Sequence, residues 1–260
     1  MLLSSLPEKS RMPSPFTPKT LSFLRALKRN NDREWFRARK DDYERHVRGP
    51  MLQLITRMAT DLKPFAPELV ADPKRSMYRI YRDTRFSDDK TPLKTNAAAV
   101  FPPRGFPRHE GAGLYVEIAP GWVWMGGGLY MPPPESLYAI RERIARSHPK
   151  LRRLVTTKEF RTVLGELQGD QLTRVPRGYL KDHPAADYLR YKQFLGFREF
   201  EPAFATSDRF YPELLRTFKA LTPLVRFLNT AILEGVAPAA VLPDAAARLE
   251  RPTFRRHHAR

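Results

Sequence analysis

The chain has 260 residues, no cysteine, and 46 Lys plus Arg against 28 Asp plus Glu, a formal net charge of +18. Without cysteine there are no disulfides, thiolate metal sites or cysteine nucleophiles, and a reducing, cytoplasmic setting is expected. With 42% hydrophobic residues and 3 Trp, 10 Tyr and 16 Phe, the chain has apolar mass for a sizeable core, which excludes disorder throughout.

Residues 1–15 contain Pro and Ser without apolar periodicity, and read as a flexible arm. Their apolar run stops after three residues, so no signal peptide is expected. A helix starts at Thr17-Pro18, a capping residue followed by proline at the first helical position, with Leu21, Leu24 and Leu27 inward. Asp32 can cap a second helix with a stripe of Trp35, Phe36, Tyr43 and Val47. A third follows Gly49-Pro50, with Leu52, Ile55, Met58 and Leu62 on one side.

The middle of the chain reads as strands. Residues 77–81 (MYRIY) alternate, and 97–101 (AAAVF) form a short apolar run. Residues 113–118 (GLYVEI) put Leu114, Val116 and Ile118 on one face, and WVWM follows the Pro120-Gly121 turn, which makes a hairpin near 113–125. Trp122 and Trp124 share a face and are expected in the core, although such a pair could also stack bases. Gly126, Gly127 and Gly128 are expected to end the strand and to let a ligand approach the backbone.

Helical patterns resume at Pro134, with Leu137, Ile140 and Ile144 inward, then over 149–155 and 157–164. A strand is predicted within 192–203, and two helices over 208–219 and 223–234. Helices, then strands, then helices argue for an α+β fold with a central, mainly antiparallel sheet. The organisation predicted is an arm over 1–15, one domain over 16–236 and a disordered basic tail over 237–260. No window approaches 18 consecutive apolar residues, so no membrane association is expected.

Known chemical motifs are missing. There is no GxxxxGK[ST] loop, no GxSxG elbow and no dinucleotide fingerprint around Gly126–Gly128. The six histidines, at 46, 109, 148, 183, 257 and 258, lack metal-ligand spacing, so no metal site is predicted and no cofactor is indicated.

Charge is concentrated between Tyr78 and Lys94 (YRIYRDTRFSDDKTPLK). Arginine offers a rigid fork for phosphate or carboxylate, and lysine a point charge. Arg82, Arg85, Lys90 and Lys94 could converge on an anion, with Arg141 on the following helix as a second wall. The same charges could instead pair with Asp83, Asp88 and Asp89 and pin the loop. Arg79 projects opposite to Arg82 if the segment is extended. Asp83 and Glu117 are the carboxylates that could serve as a general base.

Five segments taken in order carry a family resemblance: FLRALKRNNDREWF at 23–36, YRDTRFSDDKTPLKT at 81–95, GLYVEI at 113–118, WMGGGLYMPPPESLYAIRERI at 124–144 and VPRGYLKDHPAADYLRYKQF at 175–194. Together they resemble the uncharacterised, mainly bacterial family known as domain of unknown function 2461, over roughly Phe16 to Leu233. The family usually has an aromatic residue where this chain has Leu93, so no stacking role carries over to that position. The resemblance implies one α+β unit in which the charged loop, the Gly126–Gly128 turn, Arg141 and Lys181 recur together. It brings no activity, substrate or cofactor.

The function expected from the residues is the binding or conversion of a phosphorylated or other anionic small molecule in a cationic cleft. A basic nucleic-acid-associated protein is the alternative. The stretch 245–260 contributes +4 and the first fifteen residues +1, leaving +13 of the +18 on the body, which attracts polyanions. A structural or interaction module without a small-molecule site is the third reading.

Overall fold

Local capping fixes the first helices of the computed structural model, which describes residues 13–85, 87–106 and 110–235. Thr17 N–H donates to Thr20 Oγ1 (3.1 Å) at the start of α1 (Pro18–Arg29), which buries Leu21, Leu24 and Leu27. Asp32 Oδ1 accepts from Glu34 N (2.7 Å) and Trp35 N (2.9 Å) and so starts α2 (Arg33–Arg37). The chain then runs through α3 (Lys40–Tyr43), a π-helical turn (Glu44–Arg48) and α4 (Gly49–Asp61). The buried stripe of α4 is Met51, Leu54, Ile55 and Met58, with Leu52 only half-buried.

The sheet is antiparallel in the order β1 (Ala97–Phe101), β2 (Gly113–Ile118), β3 (Val123–Leu129), β4 (Phe194–Phe200). Alternation assigns its faces. Ala99, Val116 and Met125 are in register across three strands, and with Phe101, Leu114, Ile118 and Val123 they are buried. Against this face lies α9 (Phe210–Gly235), with Phe218 edge-on to Phe101 at 5.6 Å. Asn229 on α9 brackets the entry to β2, with Ala112 N–H donating to Oδ1 (2.8 Å) and Nδ2 donating to Ala112 O (3.0 Å). The remaining helices are α5 (Pro73–Ser76), α6 (Pro134–Val155), α7 (Lys158–Leu164) and α8 (Ala186–Leu189). The molecule is α+β, as its periodicities predict.

The elements depart from the sequence reading in several places. Residues 77–81 do not form a strand. Met77 bridges Ala99 and Tyr81 bridges Leu93, so the segment leaves the edge of β1 after one contact and pairs with its own return arm. Gly126–Gly128 do not end β3 but lie inside it. The predicted helices at 208–219 and 223–234 are one helix, because Leu221, Leu224 and Val225 are fully buried on both sides of Pro223. The pattern at 149–155 belongs to α6, which passes a non-helical Ser147 and continues through Pro149. Most of the predicted arm (residues 1–12) and all of the predicted tail lie outside the described residues. Within the described part of the arm, Ser14 Oγ donates to Ala205 O at 2.5 Å.

Candidate anion-binding site

The charged loop closes on its own backbone. Lys94 N–H donates to Ile80 O (2.7 Å) and Arg82 N–H to Pro92 O (2.9 Å). Asn31 clamps the return arm, its Nδ2 donating to Leu93 O (2.8 Å) and its Oδ1 accepting from Leu93 N (3.0 Å). Leu93, the position at which the family usually has an aromatic ring, is fully buried.

Within this loop the two arginines are neutralised locally. Arg82 pairs with Asp89 and also donates to Thr91 Oγ1 (2.8 Å). Arg85 grips Asp83 through Nε (3.0 Å) and Nη2 (2.9 Å), a two-pronged pair across one intervening residue. Both Asp83 oxygens face that fork. Hydrogen bonds from the Thr91 hydroxyl and N–H, with the Arg82 guanidinium beside them, hold the Asp89 carboxyl down at about 2. Lys90 Nζ donates to Thr84 O (3.1 Å), and Lys94 Nζ sits 4.7 Å over the ring of Tyr78.

The other expected residues are dispersed. Arg141 donates to the carbonyls of Leu189 (3.0 Å) and Tyr191 (3.1 Å), tying α6 to the end of α8 and the segment after it, and burial lowers its pKa. Lys181 is exposed. Glu117 is buried on the sheet face turned away from α9, where Oε2 accepts from Tyr115 O–H (2.6 Å) and Oε1 from Trp122 Nε1 (2.9 Å). Burial, and then the Glu117 charge, raise the Tyr115 pKa well above its usual value. Trp122 and Trp124 are half-buried on this outer face rather than in the core beside Val123 and Met125. Their rings lie 5.6 Å apart, and Trp124 Nε1 donates to Glu199 (2.6 Å).

Neighbouring backbone, not open space, occupies the room left by the three glycines. A Cβ at Gly126 would lie 2.3 Å from Gly196 O, one at Gly127 2.2 Å from Gly113 O, and one at Gly128 2.0 Å from Phe194 O. Gly127 and Gly196 also form a notch that Leu221 of α9 fills. The close approach allowed here is that of strand to strand and helix to sheet.

A groove of about 340 Å³ opens where the segment Met77–Tyr81 passes α2, α3 and the π-helical turn. Phe36, Tyr43, Tyr78 and Tyr81 supply rings, Met77 and Ile80 apolar floor, and Lys40, Arg48 and Arg79 positive charge. Arg48 is paired with Glu44 at 3.0 Å. Among the described residues neither Lys40 nor Arg79 has an ion pair or a side-chain hydrogen bond, and both are exposed. Burial, helped by the Glu44 charge, pushes the Tyr43 hydroxyl up to about 12, so it stays a neutral donor. The wall carrying Glu44 and Arg48 is the π-helical turn, a distortion that recurs at functional sites. Sequence reasoning missed Lys40 and Tyr43 as site residues. For Arg79 the available signal was its opposite parity to Arg82, which aims it away from the loop. Among the described residues no three His, Asp or Glu side chains are placed to hold a metal ion. No described helix is long and apolar enough to cross a membrane.

No curated protein and no solved structure matches this chain. One family model does match, described as conserved hypothetical protein (DUF2461), over residues 19–227, which takes in the helices α1 to α4, the charged loop, the groove and the whole sheet. The chain belongs to this family.

Proposed function

We propose that the protein binds a small anionic molecule, a phosphorylated one in the first place, in the groove between α2, α3, the π-helical turn and the segment 77–81. The observation that carries this reading is the pair of cations Lys40 and Arg79. They line a groove of about 340 Å³ and, among the described residues, have no carboxylate of their own. Two unpaired like charges are better satisfied by a ligand anion than by each other. The arginines of the charged loop are already matched by Asp83 and Asp89, so the loop serves as a rigid rim beginning at Tyr81. The groove lies within the size range of small-molecule sites.

Thermal shift and calorimetry with phosphate, sulfate and phosphorylated metabolites test this. Saturation at a hundred times the dissociation constant should stabilise the wild type by about 2.7 kcal/mol. The double variant Lys40→Gln/Arg79→Gln should lose most of that gain while melting like the wild type in low-phosphate buffer. An unchanged response in the double variant, or no response in the wild type, refutes the reading. A salt series with random DNA tests the polyanion alternative, which demands a log–log slope of about −0.9 per neutralised phosphate.

A further inference from the structure

We infer that the groove selects a planar heteroaromatic molecule carrying a phosphate, of mononucleotide size; the inference rests on the anion-binding reading above. A receptor for phosphate alone, or for a sugar phosphate, needs cations and many hydrogen-bonding groups. This groove adds rings to its cations.

Tyr81 is 50% exposed yet held in place, because buried Phe36 meets it edge-on at 5.9 Å and 80° and the Tyr81 backbone bridges Leu93. A pinned, half-exposed ring offers a stacking surface at little cost in side-chain entropy. Tyr78 is a second ring in the groove, steadied by Tyr115 at 6.1 Å. Tyr43, buried and edge-on to Phe36 at 5.1 Å, lines the same groove, and its hydroxyl is neutral across the physiological range and makes no side-chain hydrogen bond among the described residues. It can donate to, or accept from, a ring nitrogen or exocyclic group. Lys40 and Arg79 then meet the phosphate, the arginine through two parallel donors. A volume of about 340 Å³ stands at the lower end of ligand pockets. It suits one base, sugar and phosphate, and is short for a dinucleotide.

The test is titration calorimetry of the full chain with adenosine monophosphate, uridine monophosphate and ribose 5-phosphate, on wild type, Tyr81→Leu, Tyr81→Phe and Arg79→Gln. At least one nucleotide should bind about tenfold more tightly than ribose 5-phosphate, the size of one stacking contact. Tyr81→Leu should abolish that preference and Tyr81→Phe should keep it, while Arg79→Gln should weaken nucleotide and sugar phosphate by the same factor. Equal affinity for nucleotides and ribose 5-phosphate in the wild type, or a preference that survives Tyr81→Leu, overturns ring recognition and leaves anion binding standing. Failure of all three probes and of inorganic phosphate to bind removes both. Melting curves of each variant establish that the fold is intact.

Discussion

Replacing Gly128 with alanine should destabilise the protein strongly, and the size of the loss follows from geometry. Gly128 has φ +117°, a region where a side chain costs about 1–3 kcal/mol. The new Cβ would also lie 2.0 Å from Phe194 O and 3.0 Å from Leu195 Cα. A carbon and an oxygen need more than an ångström beyond that separation, roughly, so β3 and β4 must part locally. Parting by about 1 Å stretches the flanking ladder hydrogen bonds beyond useful length, at about 0.5–1.5 kcal/mol each. The sum is about 4 kcal/mol, a large part of the roughly 5–15 kcal/mol that holds a domain together. For a chain of this size that lowers Tm by about 8–16 °C.

Gly121→Ala is the control. Gly121 is exposed in the turn between β2 and β3, has no atom within 4 Å of its Cβ position and no positive φ. Alanine there should be neutral or should stabilise by about 0.4–1 kcal/mol by restricting the unfolded chain. Circular dichroism melts and urea titrations of both variants settle the matter. A Gly128→Ala protein that melts within 2 °C or so of wild type would refute the strand-packing account. If it also lost anion binding, the glycines would face a ligand after all.

Three further outcomes follow from the same contacts. Arg82→Gln should cost about 1–2 kcal/mol, because it removes the ion pair with Asp89 and the bond to Thr91, whereas Arg85→Gln, with its side chain 76% exposed, should cost less; equal losses in urea melts would refute this ranking. The Asp89 carboxyl lies below its ordinary 3.8, at about 2, so its contribution is fully present above pH 4 or so and is lost as pH falls toward about 2. Thr91→Val should move the Asp89 titration upward by carbon-detected NMR, and an unmoved titration would mean Thr91 does not hold it. Val116→Asp should abolish cooperative folding, since Val116 is fully buried between Ala99 and Met125; a soluble, two-state variant would show that the core face is misassigned.

The hairpin and α1 were legible because short-range periodicity decides them. Leu114, Val116 and Ile118 alternate strictly, and a strict alternation puts its apolar residues on one face. That same rule hid the tryptophans. Trp122 and Trp124 have the parity opposite to Val123 and Met125, so the face that α9 covers excludes them, but composition favoured the largest apolar rings for the core. The proline at 223 misled in a similar way, since the local signal of a breaker is overridden when both flanking turns are buried.

At the site the gap is of another kind. Charge density between Tyr78 and Lys94 is visible in one dimension, but whether a cation is available depends on where the carboxylates fall. Asp83 reaches Arg85 across one residue and Asp89 reaches Arg82 across the loop, so the densest cations are the least available. Lys40 and Arg79 stand 39 positions apart in the sequence, and no periodicity links them. They line one groove because α2, α3 and the π-helical turn at Glu44–Arg48 stand on one side of it and the segment 77–81, bridged to β1 through Met77 and Ala99, on the other. In this fold the availability of a charge is set by tertiary pairing: Arg82 and Arg85 are matched by carboxylates of their own loop, whereas Lys40 and Arg79, among the described residues, are not.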